Sequence, residues 1–237
     1  MLGLSLGVDM SNYTSMDLRS ITSLELWLRN GVDVTASQWN DSSGNDNNAF
    51  QDTEGARALV SNGGLDFEAD SSNHYDLTNT ITIASQGGFC MAAVIELETV
   101  SNATLLGKDA LDQFAVSNGT TFLFRSDTPG TTATNFVFAS NTFNTNKMLV
   151  LLNRTAGASN RFSFFKNGAE LTPNTDTSTN EADGENTGGF DLKVLGARQG
   201  TSQFFDGKIL ELAFWSKELN AAEIADVNSY LQDIHGL

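Results

Sequence analysis

Two prolines, one cysteine and few charged side chains define this 237-residue chain by what it does without. The lone Cys90 excludes an internal disulfide, yet a chain of this length buries enough surface to fold without one. Its neighbours Phe89, Met91, Ala92, Ala93 and Val94 are apolar and none is basic, so a buried, inert thiol is expected. Basic residues are scarce: 13 Lys and Arg stand against 29 Asp and Glu, a net charge of −16. That balance argues against a nucleic-acid partner, because phosphates are held by Lys and Arg. It argues equally against docking on an anionic membrane surface. No stretch reaches the roughly 20 apolar residues of a membrane span. The opening MLGLSLGVDM lacks a basic n-region, so no export signal is expected. Without export, the Asn-x-Thr triplets at Asn12, Asn102, Asn118 and Asn153 are expected to carry no sugar. There is no Cys/His metal spacing, no Gly-x-Ser-x-Gly elbow and no phosphate loop.

What is present is short apolar stretches, many alternating at period two, separated by Asn, Ser, Thr and Gly. This is the pattern of many short strands. It predicts strands over Leu24–Leu28, Leu65–Ala69, Tyr75–Ile83, Phe89–Leu97, Asn135–Ser140, Met148–Asn153, Phe190–Leu195 and Lys208–Trp215. Two hairpins turn on Asn118-Gly119 and Asn167-Gly168. Asn-Gly suits a type I′ turn, whose twist matches that of the strands it joins. Sixteen Phe and three Trp supply bulky filling for a core, with Phe204, Ile209, Leu212 and Phe214 placed near it. Helix is predicted once, after Leu219. Asn220 with Glu223 makes a capping-box pair, Ile224, Val227, Leu231 and Ile234 share a face, and Gly236 marks the stop. This helix is expected to close one end of the β core. The polar, acidic segment Thr172 to Gly189 is expected to be a long surface loop.

The segments LELWL, QWNDSSGNDNNAFQ (Gln38–Gln51), GGLDFEADSSNHYDL (Gly63–Leu77) and FCMAAVIELE follow one another in order. MLVLLNRTAGASNRFSFFKNGAEL and a closing block from Leu192 to Leu231 complete the series. Together they resemble a laminin-G-like, concanavalin A-like jelly roll. The resemblance implies an all-β, two-sheet antiparallel sandwich with one short C-terminal helix. With no composition shift or Pro-rich linker dividing the chain, one domain is expected over residues 21–237, preceded by an N-terminal arm at 1–20.

The loop from Asn40 to Asn48 is dense in oxygen atoms of the kind Ca²⁺ takes. Related jelly rolls often bind Ca²⁺, some through an Asp in an early loop, so the resemblance points to Asp41, Asn45 and nearby Asp46. The same residues also read as a plain turn in which Asp41 caps backbone amides. Trp39 and Tyr75, next to loops, are candidates for stacking on a sugar; Trp39 also reads as packed beneath the loop it begins. Glu181-Ala-Asp183-Gly-Glu185 has the carboxylate alternation of some jelly-roll glycosidases. Its Ala and Gly spacers in a polar run point instead to a solvated loop, and Glu68-Ala-Asp70 is a shorter echo. His74 and His235 are far apart in sequence.

Residues 1–13 and 24–45 are similar to virion-associated proteins of tailed marine phages. That resemblance implies a non-enzymatic structural or accessory protein of the virion surface, a capsid decoration or tail component. Its partner would be the major capsid or tail protein of the same particle, with a homo-oligomer and a cell-surface glycan as further candidates. The alternative reading is a carbohydrate-binding module or adhesin, with Ca²⁺ as a candidate cofactor.

Overall fold

The computed structural model describes residues 16–109, 111–126, 134–157, 162–176 and 188–237. In chain order the strands begin with β1 (Leu24–Leu28), β2 (Gln38–Trp39), β3 (Ala49–Phe50), β4 (Leu59–Ser61), β5 (Gly64–Phe67) and β6 (Tyr75–Ile83). They continue with β7 (Phe89–Leu97), β8 (Ala103–Gly107), β9 (Gln113–Asn118), β10 (Thr121–Arg125), β11 (Thr134–Val137) and β12 (Met148–Arg154). The last are β13 (Phe162–Lys166), β14 (Ala169–Leu171), β15 (Thr175–Asp176), β16 (Phe190–Leu195) and β17 (Gly207–Trp215), followed by helix α1 (Ala221–His235).

One sheet has the order β14-β13-β12-β7-β17-β5-β4, with β1 also paired to β17. The other runs β15-β11-β10-β9-β8-β16-β6-β3-β2. Every pairing is antiparallel. This is the two-sheet antiparallel sandwich expected from the sequence.

The core between the sheets is built on phenylalanine. The ring of Phe89 lies 5.1 Å from those of Phe124 and Phe190, 5.4 Å from Phe114 and 5.9 Å from Phe214. Edge-on and tilted arrangements dominate, as ring quadrupoles favour. Arg154, fully buried, lays its guanidinium 4.8 Å from the centre of the Phe89 ring and donates to the carbonyls of Gly87 and Gly188. A buried cation needs such acceptors, and the aromatic faces add to them.

A second apolar layer lies on the outer face of the first sheet. Along β7, Phe89, Met91, Ala93, Ile95 and Leu97 face the sandwich, while Cys90, Ala92 and Val94 face outward into a cluster with Leu149, Leu151, Ala213 and Trp215. Helix α1 covers that cluster with Ile224, Val227, Tyr230 and Leu231. This explains why β7, β12 and β17 read as near-continuous apolar runs: strands covered on both faces lose the alternation of half-exposed ones. It also corrects the expected place of the helix, which covers a sheet face and does not close an end. The Cys90 thiol is buried here, and that burial pushes its pKa well up. The helix is capped as its sequence predicts: Asn220 accepts from the amides of Ala222 and Glu223, and Glu223 accepts from the amide of Asn220.

Inside this outer layer sits one polar knot. Glu211, 1% exposed, accepts from the Trp27 indole at 2.7 Å and lies 2.9 Å from His235 Nε2 and 3.4 Å from the Tyr230 hydroxyl. Burial, with Glu211 beside it, pushes the Tyr230 phenol up to about 12. Residues 16–20 join the same layer, since Leu18 is fully buried and Met16 packs against the cluster.

Several boundaries differ from the sequence reading. The strand expected over Leu65–Ala69 stops at Phe67 and gives way to a 3-10 turn at Ala69–Ser71. The strand expected over Asn135–Ser140 ends at Val137. Phe204 is only half-buried; its neighbour Phe205 holds the core position. The Glu181, Asp183 and Glu185 carboxylates lie outside the described residues, as do residues 1–15 and most of the loop expected over Thr172–Gly189.

Candidate functional site: an acidic cleft at the end of the sandwich

Three adjacent strands of the first sheet reach one end of the molecule side by side. Their register sets Asp66 on β5 opposite Lys208 on β17, and Lys208 opposite Glu96 on β7. Leu65, Phe67, Ile95, Leu97 and Ile209 point into the core, so by the two-residue period these charged residues point outward. The same period carries Glu68 and Glu98, one step beyond the strand ends, to the same side. Asp206, two residues before Lys208, joins them: its carboxylate accepts from the Ala69 amide at 3.2 Å and its carbonyl from the Glu98 amide at 2.9 Å. Gly207 permits this close approach. Its φ of +126° and a backbone so near that a Cβ would lie 2.2 Å from the Glu96 carbonyl both demand glycine.

The two rows differ electrostatically. In the first, Lys208 lies 3.4 Å from Glu96. Burial disfavours its ammonium, but Asp66 and Glu96 outweigh that and raise its pKa. The second row, Glu68, Asp206 and Glu98, holds acids only. Some loss of hydration beside its neighbours, then repulsion from Glu98, Asp66, Asp206 and Asp70, raises the carboxyl of the exposed Glu68 above the ordinary value. Carboxylate oxygens of Asp66, Glu68 and Glu98 all lie within 4.8 Å of one another. One oxygen of Asp66 is buried with no hydrogen-bond partner. Beside them opens a cleft of about 490 Å³, lined by Glu68, Asp70, Glu98, Ser101, Phe204 and Asp206. Phe204, half-buried, rests 6.1 Å from the His74 ring.

Such an arrangement can do two things. Clustered carboxylates accept hydrogen bonds from hydroxyl groups, while a half-open aromatic offers an apolar face. Three carboxylates this close also make a hard-oxygen set of the kind Ca²⁺ takes, and Asp66, Glu68 and Glu98 are the residues that could hold one.

The sequence-predicted site residues are elsewhere and are otherwise employed. Asp41 uses its whole carboxylate to shape its loop: one oxygen accepts from the amides of Trp27 and Ser43 at 2.8 Å, the other from the Ser43 hydroxyl at 2.6 Å and the Asn47 amide at 3.0 Å. Asn45 donates its side-chain amide to the Leu24 carbonyl at 2.7 Å. Asp46, exposed and in the left-handed region at φ 57°, forms the turn. The loop is therefore stapled to β1 through these bonds, which is the turn role of Asp41 and Asn45. Trp39 and Tyr75 are both fully buried. Trp39 donates its indole N–H to the Arg29 carbonyl, and Tyr75 its hydroxyl to the Ala36 carbonyl. Neither presents a ring face to a sugar. Of the cleft residues, sequence reasoning named Glu68 and Asp70, within the Glu-Ala-Asp echo, and Phe204, which it placed near the core. The overlooked signal was the paired alternation Asp66-Phe-Glu68 and Glu96-Leu-Glu98 at two strand ends.

Comparison with known proteins agrees with the architecture. Residues 69–225, well over half of the chain, match a laminin-G family model of the concanavalin A-like lectin/glucanases superfamily. The chain belongs to this superfamily. A search of curated proteins finds no match in sequence. Among solved structures, domain 4 of AbnA, a GH43 extracellular arabinanase from Geobacillus stearothermophilus in complex with arabinotriose, superposes with a TM-score of 0.55 at 15% identity over 87% of this chain and 98% of that one. The binding domain of Paraclostridial Mosquitocidal Protein 1 gives 0.59 at 12% identity over 90% of this chain and 53% of its own. Trypanosoma rangeli sialidase gives 0.57 at 13% identity over 90% of this chain. This chain spans only 33% of that enzyme. At these identities the likeness is one of fold.

Proposed function

We propose that this domain is a non-catalytic carbohydrate-binding module and that it takes sugar at the acidic cleft. The observation that carries the reading is that Glu68 and Glu98, with Asp66 beside them, line one cleft with the half-buried ring of Phe204 at one strand end. Carboxylates select hydroxyl-bearing ligands, and the ring selects the apolar face of a pyranose or furanose. A superfamily of lectins and glucanases, and a fold neighbour solved with arabinotriose, support it. Glu68 and Glu98 are exposed, without the shielding from water that a raised-pKa general acid uses in a glycosidase. Calorimetric titration with a panel of neutral oligosaccharides tests the reading. Binding is expected to weaken about tenfold, or 1.4 kcal/mol, in Phe204→Ala and in Glu98→Gln. Unchanged affinity in both variants would remove the cleft from the account, and release of reducing ends would make the domain an enzyme.

Display on a viral particle, implied by the resemblance of the opening residues, is the setting we propose for this module. In that setting, deleting residues 1–15 yields a folded protein that no longer joins its particle. Full occupancy by the truncated chain would contradict it.

A further inference from the structure

His74 touches both walls of the acidic cleft without lining it. Its backbone is fixed just before β6: the carbonyl accepts from the Gln51 side chain at 2.7 Å, and the next residue, Tyr75, is fully buried. Its ring nitrogen Nδ1 lies 2.9 Å from the Ser72 carbonyl. A carbonyl only accepts, so Nδ1 carries the proton of that bond. Ser72 closes the 3-10 turn Ala69–Ser71, and this turn brings Ala69 and Asp70 to the cleft. The bond therefore ties the imidazole to the first wall.

The second wall is the loop that carries Phe204 and Asp206, and it folds around the same ring. Its tip holds Gln199 and Gly200 in the left-handed region, at φ 60° and 66°. The Arg198 amide closes that tip on the Ser202 carbonyl at 2.9 Å. Gly200 lies against the imidazole, since a Cβ there would fall 2.8 Å from His74 Cδ2 and Nε2. Four residues on, the Phe204 ring packs 6.1 Å from the imidazole at a tilt of 46°. Phe205, fully buried, anchors the loop beyond it. Two rings in contact favour a definite mutual geometry. A half-buried Phe without such a neighbour samples its rotamers, and fixing one of them on binding costs affinity.

We infer that His74 is the positioning residue of the cleft. It holds Phe204 in one rotamer before a ligand arrives, and so sets the affinity for a sugar ring that it does not touch itself. The consequence for affinity rests on the carbohydrate-binding reading above; the hold on Phe204 does not.

Two variants separate the anchor from the ring. His74→Asn keeps a donor for the Ser72 carbonyl and removes the ring; His74→Phe keeps a ring and removes the donor. Nuclear magnetic resonance of the whole chain without ligand reads the hold. In the wild type, nuclear Overhauser contacts are expected between the His74 and Phe204 rings, and three-bond couplings are expected to report one Phe204 χ1 rotamer. The couplings become averaged in His74→Asn and stay those of one rotamer in His74→Phe. Calorimetry with the neutral oligosaccharide that binds most tightly reads the consequence. Affinity is expected to fall about fivefold in His74→Asn, the scale of immobilising one side chain, and to stay within about twofold in His74→Phe. In a Phe204→Ala background His74→Asn is expected to change nothing further, whereas a residue that merely supports the fold costs the same in both backgrounds. Averaged couplings in the wild type, or unchanged ones in His74→Asn, would overturn the inference, and so would an equal loss in the Phe204→Ala background. Should no sugar bind at the cleft, the carbohydrate reading falls alone, and the couplings still decide whether His74 holds Phe204.

Discussion

Glu68 stands among Asp66, Asp70, Glu98 and Asp206, and its carboxyl is raised by some loss of hydration there and by their charge. An acid whose pKa is higher folded than unfolded holds its proton more tightly in the fold. Stability is then lost as pH rises through the ordinary value of 4.5 and stays lost above the folded value. Glu68→Gln is accordingly expected to raise the melting temperature at pH 7 and to change little below pH 4.5, measured by thermal unfolding across pH. An equal gain at both pH values would mean the effect is not electrostatic. At this scale the sequence was partly readable. The turn role of Asp41 was legible because Asp-Ser-Ser-Gly-Asn names its own geometry. The burial of Tyr75 was not, because the tyrosine's hydroxyl partner, the Ala36 carbonyl, lies 39 residues away.

Among the elements, α1 is the one written most plainly: Asn220, Glu223 and Gly236 set its limits through local bonds alone. Long strands such as β6, β7 and β16 were legible from their apolar spacing. The two-residue strands β2 and β3 were not, since a pairing that short exists only through its neighbour β6. Nor was the helix's resting place legible, although the unbroken apolar runs of β7 and β12 held the signal. Packing of α1 on the sheet depends on Glu211, whose carboxylate answers Trp27, His235 and Tyr230 together. Removing it leaves buried donors on two elements. Glu211→Ala is expected to cost about 3 kcal/mol, the scale of breaking one side of a buried polar pair. Urea unfolding reads it as a lower midpoint at unchanged slope; a loss below about 0.5 kcal/mol, the level of an ordinary surface change, would show that the knot does not fasten the helix.

At the scale of the molecule, the chain is two antiparallel sheets around a phenylalanine core, with a third layer made by α1 and residues 16–20. Among the described residues no helix is long and apolar enough to cross a membrane. Covering one sheet with a helix leaves strand ends and the outer face of the second sheet, where Thr78, Thr80 and Thr82 are exposed, as surfaces on which side chains can be rearranged without disturbing the core. The acidic cleft is such a place: Asp66, Glu68, Glu98 and Asp206 come from three strands brought together by register, and none of them holds the core. Their convergence was hidden in the sequence because β5 and β17 lie about 140 residues apart along the chain. The most direct test of the central claim is chemical-shift mapping of the neutral oligosaccharide that binds most tightly. The account predicts saturable shifts at Glu68, Glu98, Phe204 and Asp206. A panel that binds nowhere, or one whose shifts leave all four of these residues unmoved, would contradict it.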